Sequence, residues 1–335
     1  MEMSLQTGIV GHHWAVALLQ QAIERNTFPH ALLITGISQV GKRTLAHALA
    51  MALTCHGEPK PCRACPSCRK ALSGNHPDIF IEEAETFAAE TLKIEQIRDL
   101  QHNLSLSPHE GRYKIAILCD FERATLAAAN ALLKTLEEPP AHARLILTAR
   151  TADRLLPTIT SRCQRLPLRP VPAAAIDAFL QQHMDAPPET AHLLSRLAQG
   201  RPGWAIGALQ QPEILEQRKK WLADLLSLTG RGYATRLNYA HTLSRSDTPL
   251  TEPLHLWLLW WRDVLLTHSG LFAATINTDH AEALQWMAQH LPASQIRRAI
   301  TLTYNALQNF NHNVNPRLNL EVLLLNLPYL KGQPA

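Results

Sequence analysis

Through the first half of the chain, short apolar runs alternate with longer segments whose apolar residues recur every three or four positions. The runs "HALLIT" (30–35), "DIFI" (78–81), "YKIAILCD" (113–120), "RLILTA" (144–149) and "CQRLPL" (163–168) are short and nearly continuous, as strands buried on both faces are. Between them, "HHWAVALLQQAIERN", "GKRTLAHALAMAL", "TLKIEQIRDLQHNL" and "RATLAAANALLKTLEE" carry helical spacing, and Pro139 with Pro140 stops the last. Strands alternating with helices predict a five-stranded, mostly parallel sheet covered by helices on both faces.

A proline-rich joint, "LPLRPVPAAA", ends this pattern, and the remainder of the chain has helical spacing throughout. A short stretch closes at "QGRPGWAIGALQQPE" and a longer one runs on, with Pro212 as the boundary. The expected organisation is therefore an α/β domain over 1–168, a small helical domain over 169–211 and an all-helical domain over 212–335. Within the last, "LHLWLLWWRDVLL" (254–266) is too short to span a bilayer and is interrupted by Arg262 and Asp263, so an amphipathic helix with a bulky buried face is expected.

Composition adds little to this. The chain has 335 residues, enough for two or three cores, and 46% hydrophobic residues, which excludes a disordered chain. A net charge of +4 permits contact with nucleic acid without arguing for it. Residues 112–170 hold ten Lys and Arg against five Asp and Glu, spread over several elements as solvated faces are. The 17 histidines are scattered, which fits core or solvated side chains. "MEMSLQTGIVGHHW" has no basic segment followed by an apolar one, so no signal peptide is expected, and the expected location is the cytoplasm.

Two motifs carry chemistry. The first is "CHGEPKPCRACPSC", which places Cys55, Cys62, Cys65 and Cys68 within fourteen residues. Tight C-x-x-C turns set two sulfurs on one ion, and four cysteines supply a closed tetrahedral site for structural Zn²⁺. Disulfides are the competing reading, but the cytosol disfavours them, and a redox pair needs only two cysteines. Cys119 and Cys163 lie in apolar contexts and are expected in the core. The second motif, "GISQVGKRT" (36–44), follows a strand and opens a helix, the context of a phosphate-binding loop. Gly36, Gly41 and Lys42 stand in register with G-x-x-x-x-G-K-[ST]. Arg43 stands where the Mg²⁺-holding hydroxyl belongs. Thr44 comes one position late, and on a helix one position is about 100° of rotation.

"NALLKTLEEPP" (130–140), "SRC" (161–163), "FPHALLITG" (28–36), the four-cysteine insertion after the loop helix and "NPRLNLEVLLLNL" (315–327) together resemble the clamp-loader ATPases of the AAA+ class, over nearly the whole chain. The resemblance implies an AAA+ module with a zinc-binding insertion, a helical lid and a C-terminal collar. It implies a place in a ring of five subunits that opens a sliding clamp and loads it onto primed DNA. An ATPase subunit would lie on one side and a clamp-opening subunit on the other. By the same resemblance, Arg162 is an arginine finger offered in trans, and Asp120 stands for the Walker B aspartate.

The same comparison exposes departures. Phe121 occupies the place of the water-orienting glutamate, with Glu122 one position further on. Gln39 stands where such loops commonly carry another glycine. Gly203 stands where a nucleotide-sensing arginine is expected, with Arg201 two positions away. Together with Arg43 these imply a member that kept the fold, binds ATP weakly or not at all, and does not hydrolyse it. Two rivals remain open: an active ATPase subunit of the same complex, and a zinc-dependent nucleic-acid-binding module.

Overall fold

The computed structural model describes residues 8–83, 91–246, 248–310 and 314–330. Residues 1–7, on which the expected absence of a signal peptide partly rests, lie outside the described residues.

The chain packs as two compact units. The first, residues 1–185 with 198–205, opens with α1 (His13–Glu24), β1 (Ala31–Thr35), α2 (Lys42–Thr54) and α3 (Pro66–Leu72). It continues with β2 (Ile79–Glu82), α4 (Ile94–Ser105), β3 (Lys114–Leu118), α5 (Leu126–Glu137), β4 (Ala143–Ala149), α6 (Pro157–Thr160), β5 (Gln164–Pro167) and α7 (Ala173–His183). All five expected strands form. They lie in one sheet of order β2-β3-β4-β1-β5, and every neighbouring pair is parallel. Alternation along β1 sends Leu33 to the face covered by α4 and α5, where Ile97, Leu100, Leu132 and Leu136 pack. Leu32 and Ile34 point to the opposite face, and α2 packs across β1, β3 and β4.

Where the boundaries differ from the sequence pattern, a local bond accounts for it. The third strand ends at Leu118 because Asp120 turns into the left-handed region at φ 45°, breaking the extended run. The helix expected from residue 91 starts at Ile94, because Leu92 exchanges bonds with Arg123 and Thr125 and Lys93 caps the helix. Thr125 accepts from the Ala128 N–H, so α5 begins three residues later than its apolar spacing suggests.

The second unit, residues 186–197 with 206–335, is helical. Its elements are α8 (Pro188–Leu197), then α9 (Pro202–Gln210), which begins in the first unit, and α10 (Glu213–Thr229), α11 (Tyr233–Ser244), α12 (Thr251–His268), α13 (Ala281–His290), α14 (Ala293–Asn309) and α15 (Pro316–Leu325). The stretch 169–211 is thus divided between the two units. The tryptophan-rich segment is the centre of this core: Trp257, Trp260 and Trp261 on α12 are fully buried. Asp263 is buried too. Its carboxylate accepts from the Ile276 and Asn277 N–H groups and from Asn277 Nδ2, pinning the loop after α12. No helix among the described residues is long and apolar enough to cross a membrane.

Candidate functional site

The loop between β1 and α2 is the expected phosphate-binding loop, and Gly36 and Gly41 both hold positive φ in it. Gly36 accepts no substitute, since a Cβ there would lie 2.7 Å from the Leu168 carbonyl oxygen. Gln39 holds φ 61°, a conformation that favours glycine, so the side chain at this position is carried under strain. Beneath the loop, His12 Nε2 donates to the Val40 carbonyl at 3.1 Å. Nothing in the histidine-rich "GHHW" distinguishes this ring from its neighbour; the contact spans 28 residues.

The side chains of this loop are turned inward or away. Lys42 is buried, and its ammonium donates to the Gly36 and Ile37 carbonyls at 2.8 and 3.0 Å, satisfying itself on its own loop. Burial lowers its pKa, and the nearby Asp120 and Glu122 charges oppose that shift. Arg43 forks onto Glu83 at the end of β2, with Nη1 to Oε2 at 2.6 Å, so a guanidinium and not a hydroxyl faces this edge of the site. Thr44 is exposed.

The exit of β3 carries the next expected site residues. Asp120 is exposed and its N–H donates to Thr148 Oγ1. Phe121, expected at the water-orienting position, is buried in the core beneath the sheet. Glu122 folds back: Oε1 accepts from the Arg150 N–H at 3.1 Å, with the Arg150 Nε at 3.9 Å, while Oε2 is buried without a partner. At the sensing position, the Gly203 N–H donates to the Gln39 carbonyl at 3.0 Å, and a Cβ on Gly203 would stand 3.1 Å from that oxygen. An arginine there would press on the loop. Arg201 is turned elsewhere, donating to the Ala198 carbonyl and lying over the Trp204 ring.

Arg162 follows α6 at the start of the turn into β5. Its Nη2 meets Glu137 Oε1 at 2.7 Å, and its Nη1 donates to the Thr158 carbonyl at 2.9 Å. Arg165 lies on β5, paired with Leu33 in register. Neither Glu83 nor Glu137 stands out in the sequence, because the partner of each lies many residues away.

The four cysteines come together. One sulfur from each of Cys55, Cys62, Cys65 and Cys68 lies within 4.8 Å of all the others. A tetrahedral ion with metal–sulfur bonds of about 2.3 Å sets its ligands about 3.8 Å apart, so the cluster fits a metal ion with modest contraction. Backbone N–H groups of Gly57 and Cys62 point at Cys55 Sγ, that of Cys65 at Cys62 Sγ, and that of Cys68 at Cys65 Sγ, the arrangement that stabilises thiolates. Burial works against the Cys65 thiolate, but the Cys68 and His56 backbone donors outweigh it and bring the group down to about 6. Burial pushes the Cys68 thiol up, and the neighbouring sulfurs add to that. Four crowded thiols cannot all ionise without a cation among them.

The module is seated on the sheet by a buried polar chain. Ser67 on α3 donates to the Thr54 carbonyl at the end of α2 and meets His76 Nε2 at 2.9 Å. His76 Nδ1 accepts from the Asp78 N–H, and the Asp78 carboxylate takes the N–H groups of His109, Glu110 and Gly111. Cys119 and Cys163 are buried away from the cluster as expected, and burial raises both to about 11.

Comparison with known proteins agrees with this anatomy. The family described as DNA polymerase III, delta subunit, matches residues 11–172, and its C-terminal counterpart matches residues 212–328. The DNA polymerase III subunit delta′ of Bacillus subtilis is 30% identical over 92% of this chain and 94% of its own length. The delta′ subunit of Escherichia coli is 30% identical over 80% of this chain and 79% of its own. The tau subunit of B. subtilis is 27% identical over 98% of this chain, which spans 62% of tau. The chain belongs to the DNA polymerase III delta′ subunit family.

Proposed function

We propose that this chain is a non-hydrolysing member of a pentameric clamp-loader ring, flanked by a tau/gamma-type ATPase subunit and a delta subunit. The ring would load a sliding clamp onto primed DNA, with this chain supplying Arg162 to the ATPase neighbour's site. The observation that carries the non-hydrolysing reading is the Arg43–Glu83 pair where a metal would be held, beside a Phe121 withdrawn into the core. Mg²⁺ in such sites needs the loop hydroxyl and a free aspartate, and a hydrolytic water needs an acceptor that points at it. Lys42 spent on its own loop carbonyls supports weak or absent ATP binding.

A collar role for residues 212–335 has support of its own. Leu318 and Val322 are exposed one turn apart on α15, and Tyr233 and Leu237 likewise on α11, which packs against α15. Exposed apolar pairs on adjacent helices suit burial against other subunits. The test is co-purification of the chain with the ATPase and delta subunits, its stoichiometry read by native mass spectrometry. One copy per ring is expected, and the isolated chain should show no Mg-ATP turnover. Turnover abolished by Lys42→Ala would instead make it an active ATPase subunit.

The metal we assign to the cysteine cluster is Zn²⁺, because an all-thiolate, closed, four-ligand set suits it. Cys55, Cys62, Cys65 and Cys68 would hold it, and its contribution would be structural. Elemental analysis should give about one zinc per chain. Cys62→Ser should lower that content and loosen the 55–76 region without unfolding the sheet; an unchanged zinc content would overturn the four-ligand assignment. Tight DNA binding lost on chelation would favour the zinc-dependent nucleic-acid-binding reading.

A further inference from the structure

We infer that Glu137 is a positioning residue that parks the Arg162 guanidinium until a neighbouring subunit's nucleotide draws it away. The inference rests on the arginine-finger reading of Arg162 and adds to it a competing carboxylate within this chain. A guanidinium meets phosphate through two N–H groups at once. Here both Nη atoms are occupied: Nη2 by Glu137 at 2.7 Å, Nη1 by the Thr158 carbonyl at 2.9 Å and Ser161 Oγ at 3.4 Å. Three of the five N–H groups are thus in use, and a phosphate that takes the fork end-on competes with them. The carboxylate is the partner that matters, since it both neutralises the finger and repels an anion.

The placement of Glu137 supports a role other than helix stability. It is the last residue of α5, and Glu138 is the C-cap. The C-terminal end of a helix carries partial negative charge, so two consecutive glutamates there are opposed by the helix dipole and by each other. Among the described residues, only the first of them is paired with an arginine. The pair is also exposed enough to exchange: the two side chains retain 36% and 51% of their accessibility. An exposed ion pair is weak. It can hold an idle arginine in one orientation and still yield to a polyphosphate, which brings several negative charges.

The test uses complexes reconstituted with the wild-type chain, Glu137→Gln, Glu138→Gln, Arg162→Ala, and Glu137→Gln with Arg162→Ala, with assembly checked by native mass spectrometry. Steady-state hydrolysis is measured without DNA. Glu137→Gln should raise kcat by roughly two- to fivefold, the range an exposed ion pair allows, with KM little changed. Glu138→Gln, which relieves the same helix end without touching Arg162, should leave the rate alone. The double variant should match Arg162→Ala, because a parked finger that is absent cannot be released. The gain from Glu137→Gln should shrink as salt rises, since salt screens an exposed pair. A wild-type or lowered rate for Glu137→Gln, beside a slowed Arg162→Ala, removes the parking role and leaves the finger standing. An unchanged rate for Arg162→Ala removes the finger and this inference together.

Discussion

Replacing Arg162 by alanine is expected to slow hydrolysis at the adjacent ATPase site by roughly 10³-fold or more, the range measured for arginine fingers acting on a transferred phosphoryl group. A guanidinium is charged at every accessible pH, and its planar fork matches two phosphate oxygens. It needs no functioning nucleotide site in its own chain to do this. Steady-state turnover of a ring with several sites should fall by at least the share of the one interface that lost its finger, and clamp loading should fall with it. Folding, zinc content and assembly should be unchanged, since Arg162 is half-exposed and its side chain's contacts within this chain are a surface ion pair, the Thr158 carbonyl of α6 and the Ser161 hydroxyl. Arg165→Ala is the control. It lies on β5, three residues further on, and is exposed beside the sheet. Equal activity of the Arg162→Ala and wild-type complexes would exclude the trans-acting role, and a loss confined to Arg165→Ala would mean that the other arginine performs it.

The features legible in the sequence are those whose causes are local. A strand buried on both faces must be apolar throughout, so "ALLIT" and "KIAIL" announce themselves. Four thiolates on one ion need tight turns, so the spacing of Cys62, Cys65 and Cys68 announces a cluster that could hold a metal. The features hidden in the sequence are set by distance along the chain. The carboxylate that receives Arg43 is 40 residues away, and nothing around Glu83 marks it as a partner. Glu137 sits inside "KTLEEPP", where its charge reads as ordinary helix-end solvation. Asp263 interrupts the most apolar run of the helical half and looks like an exposed residue of an amphipathic helix. It is fully buried because three donors from residues 276 and 277 reach it. Phe121 stands out in the sequence against the resemblance's glutamate, but only the packing shows that the strand's exit turns it into the core.

Arg236 is the most consequential of these hidden residues, and its removal should have the largest effect on stability. In "YATRLNYAH" it looks like any arginine on a polar helix face. It is 1% exposed, on α11, with no carboxylate among its hydrogen-bond partners. Its Nε donates to the Leu228 and Arg231 carbonyls at 2.9 and 3.1 Å. Nη1 donates to Leu324 and Leu327 at 2.9 and 2.8 Å, and Nη2 to Pro328 and Thr229 at 3.0 and 3.3 Å. Leu228, Thr229 and Leu324 lie in the last turns of α10 and α15, where helix C=O groups run short of internal donors, and Arg231, Leu327 and Pro328 lie in the turns just after them. One buried guanidinium therefore completes two helix termini, and its charge sits against the negative ends of both dipoles. Burial lowers its pKa, yet an arginine has range enough to remain protonated. Arg236→Met keeps much of the volume and removes every donor. It leaves the Leu327 and Pro328 carbonyls without their donor, while Leu228, Thr229 and Leu324 keep the backbone N–H groups of Arg231, Leu330 and Leu327, at a cost of roughly 3–5 kcal/mol to the helical unit. Arg236→Lys retains the charge, but its single ammonium cannot span both helix ends, so an intermediate loss is expected. Because the chain has two units, one melting temperature would mix them; hydrogen exchange followed by mass spectrometry on the full chain separates their opening. Protection at the ends of α10 and α15 should drop in Arg236→Met, while the sheet strands β1, β3 and β4 exchange as in the wild type. Wild-type protection at both helix ends would show that water or backbone rearrangement replaces the guanidinium at little cost, and the proposed joint would be abandoned.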